Sequence, residues 1–315
     1  MASKERIVFM GTPDFAVATL KALLDANANV VGVITAPDRK SGRGMKLQPS
    51  TVKQFAVEND LKVLQPTNLK SEEFLIELRA LKATLQIVVA FRMLPEVVWN
   101  MPEKGTFNLH ASLLPQYRGA APINWAVING EKESGVSTFF LRHQIDTGDI
   151  IFQEKVAIDE NETAGELHDK LMSVGAELVV KTLETIEEGN CPSTPQISSK
   201  ELREAPKIFK ETCKIDWNKS ANDVFNHIRG LSPYPTAFTT LVSDDEEIGL
   251  KVFESKKTEK REKGEKGTIQ VDNQQMFIKC NDAWLEIVDL QMAGKKRMKT
   301  KVFLLGYSLN GYKCV

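Results

Sequence analysis

The first half of the chain alternates between strand-like and helix-like segments, and this alternation is the sequence feature that most restricts the fold. Short apolar runs typical of buried strands alternate with stretches whose apolar residues recur at helical spacing. The predicted strands cover residues 6–11, 30–35, 62–65, 85–90 and 106–110. The predicted helices cover residues 15–26, 50–58 and 71–81, with Ser50 and Ser71 as N-caps of the last two. This order predicts βαβ units and a mostly parallel sheet in an α/β fold.

A long helix and a linker follow this alternating region. Residues 163–188 are predicted as a helix, because Thr163 and Glu166 match a capping box and Gly189 stands where a helix would end. Residues 190–206 contain three prolines and three serines with little periodicity, which is typical of a linker. We therefore expect a first domain over residues 1–189, a linker over 190–206 and a second domain over 207–315.

The predicted second domain is rich in β-structure. After a predicted helix over residues 220–229, short strands are expected at 236–242, 248–254, 267–272, 275–280 and 284–290. Several short strands at even spacing predict a small barrel or sandwich. Residues 256–266 are nearly all charged and are predicted as a solvated loop.

Composition excludes several classes of protein. With 42% hydrophobic and 26% charged residues, the 315-residue chain is expected to be ordered. No apolar run reaches the ~20 residues of a membrane span, and the N-terminus lacks a signal-peptide layout. The four cysteines form no C-x-x-C pair, which favours free thiols in a reducing, cytoplasmic compartment. The four histidines match no metal motif, so no metal is expected.

Charge is unevenly distributed along the chain. The 41 basic and 42 acidic residues give a net charge of −1, which argues against a uniformly basic nucleic-acid binder. Residues 207–315 nevertheless hold 19 basic and 15 acidic residues. The excess of cations in this predicted second domain is compatible either with polyanion contact or with ordinary surface variation.

Three polar segments carry the candidate chemistry. Asn108 and His110 are two positions apart on a predicted strand, so their side chains are expected on one face at the strand end. A polar strand terminus with a hydrogen-bonded core histidine is the alternative interpretation. Residues 112–122 then form an irregular but partly apolar loop, as the wall of a ligand pocket would be. Asp146 precedes the turn glycine Gly148.

The combined spacing of these segments resembles a known family. The matching positions are Asn108, His110, Ser112, Pro115, Arg118, Gly119, Pro122, Asp146 and Gly148. This pattern resembles the formyltransferases that use 10-formyltetrahydrofolate. Residues 11–15 (GTPDF) and 37–47 (PDRKSGRGMKL), with Asp216, Trp217 and residues 293–296, are similar to the branch of that family that acts on methionyl initiator tRNA.

The resemblance implies a fold and an activity. It implies a Rossmann-like formyltransferase domain followed by a C-terminal β-barrel of the OB type. The expected reaction moves a formyl group from 10-formyltetrahydrofolate to the α-amino group of methionine on initiator tRNA, without metal or nucleotide cofactor. We expect a monomer that makes no membrane contact.

The expected reaction assigns roles to individual residues. Negative charge develops on the formyl oxygen, so donors are needed there, and Asn108 and His110 are the candidates. Asp146 can orient His110 or a water, or help to remove the proton of the attacking amine. The resemblance implies that Ser112, Leu113, Leu114 and Pro115 form part of the folate site.

Two basic clusters are candidates for tRNA contact. Residues 38–46 include Arg39, Lys40, Arg43 and Lys46, and cations on a glycine-containing loop suit phosphates. The resemblance implies that this loop engages the acceptor end of the tRNA; composition alone also allows a solvated loop without a partner. The stripe containing Lys295 and Lys296 can contact RNA backbone or be an ordinary charged face.

Two segments depart from the family pattern. Arg142 and His143 stand where many members carry an acidic and then a small or apolar residue, and residues 91–93 replace a smaller pattern in the folate-pocket loop. We interpret Arg142 and His143 as lineage variation on a strand edge.

Three rival functions remain open at this point. A formyltransferase for a small amine would keep Asn108, His110 and Asp146 but need neither the basic loop nor the barrel. A dinucleotide-dependent oxidoreductase is disfavoured because the first turn lacks G-x-G-x-x-G. A non-catalytic RNA-binding module does not account for the polar set.

Overall fold

The structure, a computed structural model, describes residues 4–41, 45–197 and 201–315, and the chain divides into two compact units. The N-terminal unit comprises the described residues of Met1–Gly119, Ser134–Val156 and His168–Glu204. The C-terminal unit comprises Ala120–Glu133, Ala157–Leu167 and Ala205–Val315. Two segments that precede residue 189 thus belong to the C-terminal unit, whereas residues 190–197 and 201–204 belong to the N-terminal one. The predicted linear domain ranges stay a prediction.

The first half of the chain alternates strands and helices as predicted. Its strands are β1 (Ile7–Gly11), β2 (Val30–Ile34), β3 (Arg39–Ser41), β4 (Lys46–Gln48), β5 (Val63–Leu64), β6 (Leu85–Val89), β7 (Thr106–His110), β8 (Arg118–Gly119), β9 (Glu133–Phe140) and β10 (Ile150–Ala157). Its helices are α1 (Asp14–Asp25), α2 (Thr51–Glu58), α3 (Glu72–Ala80), α4 (Glu96–Trp99), α5 (Pro122–Ile128) and α6 (Ala164–Glu188).

The main sheet of the N-terminal unit runs in the order β10-β9-β7-β6-β1-β2-β5. Pairing is parallel between β1 and both β2 and β6, between β2 and β5, and between β6 and β7. β9 pairs antiparallel with β7. Every residue of β1 and β6 is buried, because a parallel sheet is covered on both faces. The predicted α/β fold is confirmed.

The turn from β1 to α1 requires glycine. A Cβ on Gly11 would lie 2.5 Å from the Ala16 Cβ and 3.0 Å from the Val89 carbonyl oxygen. The close approach of β1, β6 and the first turn of α1 therefore leaves no room for a side chain at this position.

The N-termini of α2, α3 and α6 begin at the residues predicted as caps. The Ser50 hydroxyl accepts a hydrogen bond from the Lys53 amide at 3.1 Å, which confirms the cap of α2. Before α6, the Glu166 carboxylate accepts from the Thr163 amide at 2.8 Å, and the Thr163 hydroxyl accepts from the Glu166 amide at 3.2 Å. The capping box is confirmed. Ser71 is the N-cap residue of α3, as predicted, but its side chain forms no capping hydrogen bond with any described residue.

The remaining elements belong to the C-terminal unit, apart from Glu204 of β11, which belongs to the N-terminal unit. They are β11 (Glu204–Ala205), a 3-10 turn (Glu211–Cys213), α7 (Ala221–Gly230), β12 (Ala237–Val242), β13 (Glu247–Lys257), β14 (Ile269–Asp272), β15 (Gln275–Lys279), β16 (Trp284–Met292), β17 (Met298–Lys299), α8 (Thr300–Phe303) and β18 (Lys313–Cys314). The antiparallel order is β14-β15-β16-β13-β12-β18. A bridge between Thr268 and Lys313 joins the two ends of this sheet, and the Cys314 amide donates to the Gly267 carbonyl at 2.8 Å. The nearly closed barrel confirms the predicted architecture.

Two predicted loops are partly strands. β3 and β4 form a hairpin within the basic segment 38–46 and just beyond it. β13 extends to Lys257, into the segment predicted as a charged loop, because β16 continues to pair with it as far as Leu285. Backbone pairing overrides the weak strand propensity of charged residues in both places.

His227 on α7 should make the stability of the C-terminal unit pH-dependent. Its Nε2 is buried and has no hydrogen-bond partner among the residues that the structure describes. Burial, with a smaller contribution from the Lys219 cation, lowers the pKa of His227 to about 4. Between about pH 6.5 and 4 the unfolded chain therefore binds the extra proton, and stability falls as the pH falls through this window, by at most about 3 kcal/mol.

This effect can be measured as the difference in urea midpoint between pH 7 and pH 5. The wild type should lose more stability over this interval than His227→Gln. A matched control is His143→Gln, since the His143 side chain is 74% exposed and should leave the wild-type pH dependence intact. An equal loss in wild type and His227→Gln would contradict the assignment.

Candidate active site

Asn108 and His110 lie two positions apart on β7 and share one face of the sheet. His110 is 8% exposed, and its ring meets the Phe139 ring edge-on with centroids 6.5 Å apart. The His110 Nε2 lies 2.9 Å from the Tyr117 carbonyl oxygen. Because a carbonyl oxygen only accepts hydrogen bonds, this contact assigns a hydrogen to Nε2. Nδ1 is then the ring nitrogen that can take up a proton.

Asp146 faces that nitrogen. Its Oδ2 lies 3.9 Å from the His110 Nδ1, and both side chains are largely buried. This distance is too long for a hydrogen bond but short enough for a carboxylate to stabilise a protonated imidazole. The structure thus brings together two of the predicted catalytic residues, with Asn108 on the same face of β7 as His110.

The turn that carries Asp146 has a constrained backbone. Asp146 has a φ of +54°, in the left-handed region that residues with a Cβ seldom occupy. A Cβ on Gly148 would lie 1.6 Å from the Phe140 carbonyl oxygen, so this position requires glycine. The Gly119 amide donates a hydrogen bond of 3.0 Å to the Asp146 Oδ2. The carboxylate is therefore held by a main-chain donor from a different loop.

Gln196, which was not among the predicted site residues, also contacts this turn. Its side-chain Nε2 donates to the carbonyl oxygens of Asp146 at 2.9 Å and Gly148 at 2.7 Å. Its Oε1 accepts from the Arg118 Nε at 3.1 Å and Nη2 at 2.6 Å. The residue lies in the segment interpreted as a linker. Hydrogen bonds to main-chain carbonyls leave no pattern of residue types through which sequence reasoning could find them.

The four residues predicted for the folate site belong to one ordered loop. Ser112 and Leu114 are buried, whereas Leu113 and Pro115 are half-buried. The Ser137 hydroxyl donates to the Ser112 carbonyl at 2.6 Å and accepts from the Leu114 amide at 3.1 Å. Their role in folate binding stays a prediction.

A cavity of about 990 Å³ lies elsewhere in the N-terminal unit. It is lined by Thr67, Asn68, Leu69, Lys70, Arg92, Met93, Leu94, Pro95, Glu96 and Val97. The Arg92 guanidinium donates to the carbonyl oxygens of Pro66 and, at 3.0 Å, Thr67. Arg92 and Met93 of the unusual segment 91–93 therefore form part of the cavity wall, and Arg92 connects this wall to the loop at residues 66 and 67.

The other departure from the family pattern also has a structural account. The Arg142 Nη2 lies 2.6 Å from the Asp149 Oδ2, which also accepts a hydrogen bond of 2.8 Å from the Ser193 hydroxyl. The His143 Nε2 lies 3.5 Å from the Glu96 Oε1. Arg142 thus stabilises the far end of the turn that carries Asp146.

The predicted tRNA-binding residues of the N-terminal unit lie on and around the β3–β4 hairpin. Arg39 and Lys40 are exposed on β3. The backbone of Lys46 on β4 pairs with Ser41. Arg43 lies outside the described residues. The structure places Arg39 and Lys40 on a surface where phosphates could reach them.

The base of this hairpin holds an acidic residue that is already neutralised. The Lys53 Nζ lies 2.7 Å from the Asp38 Oδ2, and the Gln65 amide donates to the Asp38 Oδ1 at 2.8 Å. These two hydrogen bonds, that from Gln65 first, lower the pKa of Asp38. Its carboxylate is therefore compensated and weakens the positive field of the hairpin little.

The basic stripe of the C-terminal unit divides into two parts. Lys295 and Lys296 are exposed, and within the described ranges neither forms an ion pair. Arg297 pairs with Asp289 at 2.9 Å, and Lys299 lies 3.2 Å from the same carboxylate. Lys295 and Lys296 thus remain available to an anionic partner, whereas Arg297 and Lys299 are largely compensated.

Within residues 4–41, 45–197 and 201–315, no group of three or more His, Cys, Asp and Glu could hold a metal ion. No helix in these ranges is long and apolar enough to cross a membrane.

All four cysteines are free, as predicted, and burial raises the pKa of both Cys280 and Cys314 to about 12. Those two thiols are therefore unreactive near neutral pH.

Comparison with known proteins identifies the class. Residues 5–183 match the formyl transferase family model, and residues 207–308 match the model of the formyl transferase C-terminal domain. The chain therefore belongs to the formyl transferase family.

Relatives that are similar over nearly the whole chain are named more specifically than the family. The chain is 54% identical over 309 residues to the methionyl-tRNA formyltransferase of Bacteroides fragilis, covering 96% of this chain and 95% of that protein. It is 55% identical over 309 residues to the methionyl-tRNA formyltransferase of Parabacteroides distasonis, with the same coverage. The solved structure of WlaRD, a sugar 3N-formyl transferase in the presence of dTDP and 5-N-formyl-THF, has a TM-score of 0.66 at 20% identity. That alignment covers 93% of this chain and 99% of WlaRD, and it shows the shared fold.

Proposed function

We propose that this formyl transferase moves a formyl group from 10-formyltetrahydrofolate to the α-amino group of methionyl initiator tRNA. One geometric observation carries the proposal: the proton-accepting Nδ1 of His110 faces the Asp146 carboxylate at 3.9 Å, beside Asn108 at the end of β7. The acceptor is inferred from the name of relatives that are 54–55% identical over nearly the whole chain. The solved structure of WlaRD, which has the same fold, was determined in the presence of 5-N-formyl-THF, and this supports a folate donor.

In the proposed reaction, the lone pair of the methionyl amine attacks the formyl carbon. A bond forms between this nitrogen and the formyl carbon, and the bond from the formyl carbon to the folate nitrogen breaks. The attacking amine loses one proton and the folate nitrogen gains one. His110 takes up the amine proton at Nδ1, because its Nε2 hydrogen is committed to the Tyr117 carbonyl, and Asp146 stabilises the imidazolium. The imidazolium then gives this proton to the departing folate nitrogen, which regenerates neutral His110.

Two further groups complete the proposed site. The Asn108 amide donates to the formyl oxygen while negative charge develops there. The loop Ser112, Leu113, Leu114 and Pro115 forms part of the folate site, and its half-buried apolar side chains suit a flat, partly apolar ligand.

The tRNA would be held mainly through its phosphates. Arg39 and Lys40 on the hairpin, together with Arg43 and Lys46, are proposed to contact the acceptor end. Lys295 and Lys296 on the barrel are proposed to contact RNA backbone elsewhere. An enzyme that acts on aminoacylated tRNA works where translation occurs, so a cytoplasmic location is part of the proposal.

The acceptor can be tested directly. With 10-formyltetrahydrofolate as donor, methionyl initiator tRNA should be formylated, and neither free methionine nor a dTDP-linked amino sugar should react at a comparable kcat/KM. The measurement is transfer of labelled formyl to each acceptor. Efficient formylation of the sugar would instead support the rival function, a transferase for small amines.

Asp146→Asn should reduce kcat for formyl transfer about 100-fold or more, which is the usual range for loss of a proton-transfer group. The asparagine can still accept the Gly119 hydrogen bond, but it carries no charge to stabilise a protonated His110. Filter binding should show tRNA affinity within about twofold of wild type, since charge near the reacting centre contributes little to phosphate contacts.

Asp169→Asn is the matched control for this variant, because the Asp169 side chain is 76% exposed and belongs to the same unit. It should retain wild-type turnover. Unimpaired turnover in Asp146→Asn would remove Asp146 from the mechanism.

The double variant Arg39→Ala/Lys40→Ala should weaken tRNA binding and reduce its salt dependence. Each phosphate contact contributes about 0.7 to 0.9 to the slope of log K against log salt, so the slope should fall by about 1 to 2. The control is Lys21→Ala/Lys62→Ala, which removes the same charge from exposed positions of the same unit outside the hairpin. Equal slopes in the two double variants would show that the hairpin cations do not touch phosphate.

A further inference from the structure

The turn around Asp146 leaves two carbonyl oxygens that need an external donor. Asp146 has a φ of +54°, and Gly148 approaches the end of β9 so closely that no Cβ fits. In this conformation, the carbonyls of Asp146 and Gly148 both point toward the side chain of Gln196. A left-handed residue persists only where its surroundings hold it.

The Gln196 amide meets this requirement with both of its hydrogens. Nε2 lies 2.9 Å from the Asp146 carbonyl oxygen and 2.7 Å from the Gly148 carbonyl oxygen. Oε1 accepts two hydrogen bonds from the Arg118 guanidinium, at 3.1 and 2.6 Å. Arg118 only donates and the two carbonyls only accept, so this network permits a single orientation of the amide.

Arg118 connects the amide to the segment that holds the catalytic side chains. The neighbouring Gly119 amide donates to the Asp146 Oδ2 at 3.0 Å, and the neighbouring Tyr117 carbonyl accepts from the His110 Nε2 at 2.9 Å. Gln196 thus joins the backbone of Asp146 to the same three-residue segment that orients the Asp146 carboxylate and the His110 ring.

We propose that Gln196 is a positioning residue for the formyl-transfer site, acting by fixing the Asp146 turn against residues 117–119. This inference rests on the proposed roles of His110 and Asp146. Without the two donors, the turn can relax and the 3.9 Å separation between Nδ1 and Oδ2 is no longer set. Because the residue does not contact substrate in this role, its loss should affect turnover rather than substrate binding.

Two substitutions separate the donor role from the contact with Arg118. Gln196→Met has nearly the same length but neither donor nor acceptor. Gln196→Glu keeps an acceptor for Arg118 but has no hydrogen for the two carbonyls. Ile197→Ala is the control, since this neighbouring side chain is 81% exposed.

The full-length protein is assayed with methionyl initiator tRNA and 10-formyltetrahydrofolate. Both Gln196 variants should lower kcat by about 10- to 100-fold, the loss associated with a misplacement of about 1 Å, with KM for each substrate within about threefold of wild type. Amide hydrogen exchange in the protein without substrate should quicken across residues 145–149 in both variants. Ile197→Ala should match wild type in all three measurements.

Four other outcomes would contradict the positioning role of Gln196 or the function on which it rests. Wild-type kcat in Gln196→Glu with a loss in Gln196→Met would show that only the acceptor for Arg118 matters. A rise in KM with unchanged kcat would make Gln196 a substrate-binding residue. If the wild type does not formylate methionyl tRNA, the proposed function fails. Unchanged amide exchange at residues 145–149 in both variants would then still refute the positioning role, because that measurement requires no substrate.

Discussion

The parallel pairing of β6 with β1 on one side and β7 on the other is the constraint on which the candidate site depends. Gly11 at the end of β1 pairs with Val89 at the end of β6, and Val89 pairs with Leu109 next to the end of β7. Three carboxyl ends are thereby aligned at one edge of the sheet, where parallel-sheet proteins bind ligands. His110 is the last residue of β7, so this register delivers its ring to that edge. Hydrophobic burial on both faces of β1 and β6 maintains the register.

The chemistry at this edge is controlled mainly by main-chain groups. The Tyr117 carbonyl determines which nitrogen of His110 carries hydrogen, and the Gly119 amide orients the Asp146 carboxylate. The carbonyls of Asp146 and Gly148 in turn depend on Gln196. Every non-proline residue carries the same backbone donor and acceptor, so such contacts cannot be recognised from residue types. Asn108 and His110 were predictable from strand periodicity, whereas Gln196 was not.

The positive charge that the C-terminal unit can offer to a partner also depends on contacts that the amino-acid composition does not reveal. The excess of cations over residues 207–315 can be counted in the sequence. Which of these cations can bind a partner depends on whether nearby carboxylates already pair with them. Arg297 and Lys299 share Asp289, and Arg297 also lies 4.2 Å above the Phe253 ring. Ion pairing thus reduces the uncompensated positive charge of this stripe to a smaller region that includes Lys295 and Lys296. An ion pair between residues eight or ten positions apart requires the β16–β17 pairing, which composition does not reveal.

The amino-acid sequence alone determined the α/β order of the first half, the strands of the barrel, the capping box of α6 and the family pattern around Asn108, His110 and Asp146. These features depend on local periodicity or on residue types at set spacing, which the chain carries without folding. Only the tertiary structure decided that residues 120–133 and 157–167 belong with the barrel and that part of the predicted linker borders the site. It also decided which nitrogen of His110 is available. Each of these depends on contacts between residues distant along the chain, and such contacts exist only once the sheet register and the turns are formed.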